Sequence, residues 1–219
     1  MPEIDLHTHR LKIEPSIQIL NVFAQDLPFP EGETLYSAGL HPWHIGLVNA
    51  CECLCSVDQS ANHTNMLAIG ECGLDRSIGI DFATQEGYFK EQIEIAEKHA
   101  KPLIIHCVRA FPEIIRLKNE YHSTLPWIIH GFNGNGSTIL QLIRHNFYFS
   151  VGESLLKNSQ KKDLLPLIPL DNLFLETDDR EIGISSIYAM AAQLLKVDEE
   201  TLGGIILENF KVLFGNISG

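Results

Sequence analysis

Two histidines stand two residues apart near the start of the chain, in the run Asp5-Leu6-His7-Thr8-His9. If this run ends a β-strand, the two-residue period of the strand directs both imidazoles to the same face. Two nitrogen ligands would then converge on one point, as a bound metal ion requires. An isolated pair of this kind is also common among ordinary surface histidines, so its meaning depends on the rest of the chain.

Four further polar residues each end a predicted strand. They are Glu71, His106, His130 and Asp178. A polar group that follows an apolar run such as Leu103-Ile104-Ile105 is unusual in a buried position unless it binds an ion or forms hydrogen bonds. The carboxyl ends of strands are also where β/α barrels place their catalytic side chains. We therefore expect these residues and the two N-terminal histidines to form one group.

Four imidazoles and two carboxylates are a ligand set for metal ions that accept nitrogen. This set suits Zn²⁺, Mn²⁺, Fe²⁺, Co²⁺ or Ni²⁺ better than Mg²⁺, which remains usable in an assay. Six side chains exceed what one catalytic ion needs, so we expect two divalent ions per chain. Two ions that share a carboxylate activate water for attack on a polarised electrophile, which predicts metal-assisted hydrolysis.

The elements that must position these residues are eight short β-rich runs. They are Glu3–His9, Ile17–Phe23, Leu35–His41, Leu67–Glu71, Pro102–His106, Trp127–His130, Phe147–Val151 and Asn172–Asp178. Helical patterns lie between or after several of them. The first has Phe82, Phe89, Ile93, Ala96 and Ala100 on one face, and the others are Phe111–Tyr121, Ser137–His145, Ile187–Lys196 and 198–214, with Asp198 as N-cap. This alternation predicts a parallel sheet.

The connections at residues 10–16 and 24–34 are too short for the crossover helices that parallel strands usually need. We therefore predict one domain over residues 1–219 with an α/β fold, a distorted TIM-type β/α barrel whose first crossover helices are trimmed. The thinly covered front of such a barrel is a candidate surface for oligomerisation or for a partner.

Charge, cysteine content and apolar runs exclude some classes of protein. A net charge of −12 is the wrong sign for tight, extended binding to a nucleic-acid backbone. Five cysteines without disulfide-scaffold spacing favour a reducing, cytoplasmic setting, with Cys51, Cys53 and Cys55 as thiols on a connecting helix. The N-terminus resembles no secretory leader, and no apolar run is long enough to span a membrane.

Six short motifs occur along the chain in a characteristic order. They are Asp5-x-His7-x-His9, Gly39-Leu40-His41-Pro42, Gly70-Glu71-Cys72-Gly73-Leu74-Asp75, Pro102 to His106, Ile129-His130-Gly131-Phe132 and Glu176-Thr177-Asp178. Their order and spacing resemble the TatD family of metal-dependent hydrolases, from about Ile4 to Gly215. The resemblance implies an amidohydrolase-type TIM-like barrel with deoxyribonuclease or phosphodiesterase activity.

The resemblance also assigns roles to the ligand set. It implies that His7, His9 and Asp178 hold one ion, that His106 and His130 hold the other, and that Glu71 bridges them. The catalytic residues would be Glu71 and Asp178, with Asp178 as the general base that directs the attacking water.

Two departures from the family pattern concern the substrate. Arg109 stands one place later after His106 than the family's usual arginine, and residues 179–183 replace a longer loop of the family. The remaining candidates for substrate contacts are His41, Arg76 and Arg109. Arg76 could equally pair with Asp75.

Three functions remain open from the sequence. The leading one is a cytoplasmic, dinuclear-metal deoxyribonuclease or phosphodiesterase acting on DNA or short oligonucleotides. The second keeps the metal ions but acts on small phosphate esters, lactones or amides. The third is a catalytically silent metal-binding protein that serves as an interaction module.

Overall fold

A computed structural model describes residues 2–26 and 32–215. All eight predicted strands are present in these residues. They are β1 Glu3–Thr8, β2 Ser16–Phe23, β3 Tyr36–Gly39, β4 Met66–Asp75, β5 Leu103–Val108, β6 Trp127–Ile129, β7 Phe147–Val151 and β8 Leu173–Leu175. Their order in the sheet follows the chain from β1 to β8. Part of the short connection predicted at 24–34 lies outside the described residues.

Seven α-helices occur in the same described ranges. They are α1 Ala50–Ser60, α2 Phe82–His99, α3 Phe111–Glu120, α4 Gly136–Arg144, α5 Glu153–Leu156, α6 Ile184–Leu195 and α7 Glu199–Phe214. The predicted helices are confirmed to within a few residues. None of the helices in these ranges is both long and apolar enough to cross a membrane.

Residues 20–128 form one compact unit, in which β2, β3, β4 and β5 pair in parallel. The helix α2 begins at the N-cap Asp81, whose carboxylate accepts the N–H of Thr84 at 2.9 Å. It buries Phe89, Ile93 and Ala96, as its spacing predicts. Ala100 is an exception, since it is an exposed C-cap with a left-handed φ of 52°. The prediction that Ala100 lies on the buried face was wrong because the helix ends one residue earlier.

Residues 1–19 and 129–219 form the second compact unit. Within it β7 pairs with β8 in parallel, and a parallel bridge joins Thr8 at the end of β1 to Asp178 beyond β8. The Tyr188 hydroxyl on α6 accepts the N–H of Ile4 at 3.0 Å and so fastens this helix to β1. The closing helix α7 has the predicted N-cap, since Asp198 accepts the N–H of Thr201 at 2.7 Å.

The connection between β1 and β2 contains no helix, as predicted. Instead the side chain of Gln18 exchanges two hydrogen bonds of 2.8 Å with the backbone of Lys12 and holds the loop. Leu11 and Ile13 are exposed in this loop, at 51% and 109% of their reference areas. A partner for this surface, and the single-domain organisation, both stay predictions.

The cysteines carry no disulfide. All five are free thiols, and Cys51, Cys53 and Cys55 lie on α1. Their location on a connecting helix is as predicted.

Candidate metal centre

Glu71 lies inside β4 rather than at its end, contrary to the sequence prediction. The strand continues to Asp75 because residues 72–75 pair in parallel with residues 105–108 of β5, after a register shift that follows Ile69. Gly73 makes this pairing possible, since its φ is +141° and a Cβ there would overlap the carbonyl oxygen of His106. His106 likewise lies within β5 rather than at its end.

The Glu71 carboxylate is buried between two imidazoles of its own unit. His41 Nε2 and His106 Nδ1 each lie 3.0 Å from Glu71 Oε1. The backbone N–H of Glu71 donates to Asn21 Oδ1 at 2.8 Å, which holds this part of β4 against β2. We call His41, Glu71 and His106 the Glu71 group. Its three donor atoms lie within 4.8 Å of one another, so their chemistry and spacing fit a divalent ion.

Asp75 supports this group from behind His106. Its Oδ2 lies 3.0 Å from His106 Nε2 and accepts the indole N–H of Trp43 at 2.7 Å. Its Oδ1 accepts the backbone N–H of Ser77 at 2.7 Å. Burial raises the pKa of the Asp75 carboxyl, but hydrogen bonds from His106, Ser77 and Trp43 outweigh this effect and lower the pKa far below its usual value. Asp75 is therefore an anion that receives hydrogen bonds from several sides.

A second donor group forms in the unit of residues 1–19 and 129–219. His7 Nε2 and His9 Nε2 lie 3.8 Å and 3.3 Å from Asp178 Oδ1. We call these three residues the Asp178 group, and one donor atom from each lies within 4.8 Å of the others. The two imidazoles meet edge to face with ring centroids 5.1 Å apart, as expected for residues on one face of a strand end. This group also has the chemistry and spacing of an ion site.

Backbone hydrogen bonds place Asp178 beside the two histidines. The N–H of Asp178 donates to the His7 carbonyl at 2.9 Å, and the N–H of His9 donates to the Asp178 carbonyl at 3.0 Å. Asp178 has a left-handed φ of 55° and lies three residues beyond β8 rather than at its end. The strand was therefore predicted too long.

Asp5, the first residue of the N-terminal motif, fastens the segment before Asp178. Its two carboxylate oxygens accept the N–H and the hydroxyl of Thr177 at 2.9 Å and 2.6 Å. Burial raises the pKa of Asp5 to about 7, although the hydrogen bonds from Thr177 oppose the rise. Asp5 thus positions the polypeptide that carries Asp178.

His130 follows β6 directly and lies in the same unit as the Asp178 group. Its ring centroid is 4.4 Å from that of His7. Glu176, which is buried, has its Oε1 at 3.6 Å from His130 Nδ1 and accepts the backbone N–H of Gly131 at 2.6 Å. His130 therefore lies beside His7 of the Asp178 group and near the carboxylate of Glu176.

The two arginines predicted as substrate contacts differ in their surroundings. Arg76 pairs with Glu113 at 2.6 Å and stacks over Phe82, so the pairing with Asp75 that the sequence allowed is not the one the structure shows. Arg109 is exposed, with a left-handed φ of 55°.

Three residues make contacts that the sequence reasoning did not predict. His41, predicted to contact the substrate, also lies in the Glu71 group, and it ends a predicted strand as His106 and His130 do. Asp75 and Glu176 were quoted within motifs but given no contact with a histidine. Nothing in the sequence shows which imidazole each carboxylate meets.

Comparison with known proteins identifies the class. The family model described as "TatD related DNase" matches residues 23–215. A Buchnera aphidicola protein described as an uncharacterized metal-dependent hydrolase is 29% identical over 201 residues, covering 82% of this chain and 76% of the relative. An Erwinia billingiae protein named 3′-5′ ssDNA/RNA exonuclease TatD is 30% identical over 147 residues, covering 65% of this chain and 56% of the relative.

A solved structure agrees with the fold. The crystal structure of a TatD homologue from Escherichia coli superposes with a TM-score of 0.82 at 19% identity and covers 98% of both chains. The fold is therefore the TIM-like β/α barrel of TatD structures, as predicted. The chain belongs to the TatD-related DNase family.

Proposed function

We propose that this chain is a divalent-metal-dependent exonuclease that hydrolyses phosphodiester bonds from an end of single-stranded DNA or of short oligonucleotides. The observation that carries the proposal is the pair of donor groups, each with two imidazoles and one carboxylate whose donor atoms lie within 4.8 Å. Family membership supports the reaction class, and the name of the Erwinia relative supports an unpaired nucleic acid as substrate.

Six residues would hold two ions in this proposal. His7, His9 and Asp178 would bind one, His106 and His130 the other, and Glu71 both. The donor types favour Zn²⁺, Mn²⁺, Fe²⁺, Co²⁺ or Ni²⁺. When bound, such ions lower the pKa of water and polarise the phosphoryl oxygens of an ester.

Asp178 is suited to accept the proton of the attacking water. Its carboxylate is about one-third exposed, at 36%, whereas the Glu71 side chain is 4% exposed. A partly exposed carboxylate can meet both the nucleophile and the solvent, as a general base must. Glu71, enclosed by His41 and His106, is suited to hold charge in place rather than to exchange protons with solvent.

Three residues are proposed to contact the substrate, on unequal grounds. His41 lies 3.0 Å from Glu71 and is positioned to meet a phosphate that approaches the Glu71 group. Arg109 is exposed, so its guanidinium is accessible to a phosphate in solution. Arg76 would have to exchange its ion pair with Glu113 for one with the substrate. The net charge of −12 favours short or weakly held substrates.

The test measures bound metal and cleavage in the same preparation. Protein purified under reducing conditions is assayed for metal per chain. It is then incubated with single strands labelled at either end in the presence of Mn²⁺, Mg²⁺ or Zn²⁺. We expect about two ions per chain and stepwise shortening, with the labelled end revealing the polarity. Glu71→Gln should abolish shortening, whereas Glu97→Gln, an exposed residue of α2, is the matched control and should not.

Two results would contradict the proposal. A protein that binds no divalent ion would overturn the mechanism altogether. A protein that binds about two ions but cleaves no oligonucleotide would overturn the nuclease assignment. That result would favour the hydrolysis of small phosphate esters, lactones or amides, which the short segment 179–183 before α6 would admit.

A further inference from the structure

A continuous row of side chains runs from the surface to Glu71 within the unit of residues 20–128. The Trp43 indole N–H donates to Asp75 Oδ2 at 2.7 Å, and the same oxygen lies 3.0 Å from His106 Nε2. His106 Nδ1 in turn lies 3.0 Å from Glu71 Oε1. The two nitrogens of one imidazole thus face two different carboxylates.

The two carboxylates have different surroundings, and this difference assigns the nitrogens. Asp75 accepts further hydrogen bonds from the indole N–H of Trp43 and from the backbone N–H and hydroxyl of Ser77, which hold its two oxygens in place as acceptors. Because these oxygens accept from the other donors around them, the geometry gives the donor role to the His106 nitrogen that faces Asp75. Nδ1, which lies 3.0 Å from Glu71 Oε1, is then the nitrogen that faces an ion bound beside Glu71.

We propose that Asp75, held by the indole N–H of Trp43, is a positioning residue that keeps the proton of His106 on Nε2 and presents Nδ1 to an ion at the Glu71 group. The proposal rests on the proposed metal-dependent function but concerns two residues that no ligand assignment includes. Carboxylates behind metal-binding histidines raise metal affinity by fixing the tautomer and the ring orientation.

Asp75→Asn is a suitable test because the backbone at this position is held independently of the side chain. The N–H of Asp75 donates to Gln85 Oε1 at 2.9 Å, and its carbonyl accepts from Gln85 Nε2 at 3.0 Å. The end of β4 should therefore keep its position in the variant. Trp43→Phe is the second variant, since it retains an aromatic ring, although a smaller one, and removes the N–H donor to Asp75.

Asp58→Asn is the matched control. Asp58 Oδ1 lies 2.7 Å from His99 Nε2, so this pair repeats the Asp75–His106 contact in the same unit, between α1 and the end of α2. The control changes an aspartate that holds a histidine without touching the Glu71 group.

The experiment combines Zn²⁺ affinity with ¹⁵N NMR of the histidine side chains. In the zinc-loaded protein we expect His106 to be ligated through Nδ1 and to retain its Nε2–H signal. Asp75→Asn should lower the Zn²⁺ affinity by about 10- to 100-fold and weaken or lose this signal. Trp43→Phe should lower the affinity less, by several-fold, and Asp58→Asn should leave both readouts unchanged.

Ligation of His106 through Nε2 would overturn the proposal. An Asp75→Asn variant with unchanged Zn²⁺ affinity and an unchanged His106 signal would also overturn it. If the unmodified protein binds no Zn²⁺, the metal-dependent function fails separately. The Nε2–H signal of metal-free protein then decides the positioning role alone: loss of the signal in Asp75→Asn supports it, and persistence overturns it.

Discussion

The Glu71 group and the Asp178 group contain the same donor types but are held in place by different bonds. In the Glu71 group the contacts run between side chains, at 3.0 Å from His41 to Glu71, from Glu71 to His106 and from His106 to Asp75. In the Asp178 group, backbone hydrogen bonds of 2.9 Å and 3.0 Å join Asp178 to the two histidines, and His9 Nε2 and His7 Nε2 lie 3.3 Å and 3.8 Å from Asp178 Oδ1.

This difference predicts which substitutions should disturb the residues around them. A side chain held by its neighbours cannot be altered without disturbing them, because each buried polar atom would lose a partner. The Asp178 side chain is 36% exposed, so water can replace a partner that it loses. Substitution of Asp178 should therefore cost function more than structure, whereas the Glu71 group should respond as a unit.

The largest expected effect is that of Asp178→Asn on activity. Loss of the proton acceptor should reduce the cleavage rate by about 100- to 10,000-fold. The fold should persist, because Asn is one of the few residues that tolerate the left-handed conformation found at φ 55°. Exonuclease rates and thermal unfolding are measured for the unmodified protein and for the variant. The rates check the loss of activity, and the unfolding temperature checks that the fold is kept. Full activity in the variant would remove Asp178 from the mechanism.

A smaller effect is expected at the carboxylate behind His130. Glu176 Oε1 accepts the Gly131 N–H at 2.6 Å and lies 3.6 Å from His130 Nδ1, so its shorter contact is with the backbone. The amide oxygen of Glu176→Gln can still accept that N–H. We expect the Zn²⁺ affinity to fall by less than about tenfold, against about 10- to 100-fold for Asp75→Asn. An equal or greater loss in Glu176→Gln would show that His130 depends on Glu176 at least as strongly as His106 depends on Asp75.

Double-mutant cycles in the free energy of unfolding compare the two groups directly. In metal-free protein, Glu71→Gln combined with His41→Gln should show a coupling energy of about 1 kcal/mol or more, because the two side chains are buried and in contact. Asp178→Asn combined with His7→Gln should couple by less than about 0.5 kcal/mol, because His7 Nε2 and Asp178 Oδ1 are 3.8 Å apart and Asp178 is partly solvated. Urea unfolding measures both coupling energies. Equal values would show that the two groups are held in place to the same degree by side-chain contacts.

The smallest expected effects concern the two arginines. Arg109→Asn should raise the KM for an oligonucleotide by roughly threefold and weaken its salt dependence, since one phosphate contact would be lost. Arg76→Gln should leave KM nearly unchanged and lower the free energy of unfolding by less than about 1 kcal/mol, because it breaks a partly exposed ion pair with Glu113. If KM rises in Arg76→Gln and not in Arg109→Asn, the phosphate contact belongs to Arg76. Steady-state kinetics at two salt concentrations tell the two apart.

The sequence was informative about elements because local patterns determine them. Alternating apolar runs and helical spacing placed all eight strands, and Asp198 and its following residues predicted the closing helix with its cap. Strand ends were less accurate. The strand β4 extends past Glu71 to Asp75 because it pairs with β5, and a pairing partner is not visible in the local pattern.

The sequence also determined the types of the donor residues, because each could be named from its position after an apolar run. These residues are His7, His9, Glu71, His106, His130 and Asp178. Which donors share a contact was decided only by the tertiary structure. His41 joins Glu71 across 30 positions, Asp75 meets His106 across 31, and Asp5 ties Thr177 across 172. Such contacts depend on strand register and on a few close approaches, such as that of Gly73 to His106, and not on the residues next to each donor in the chain.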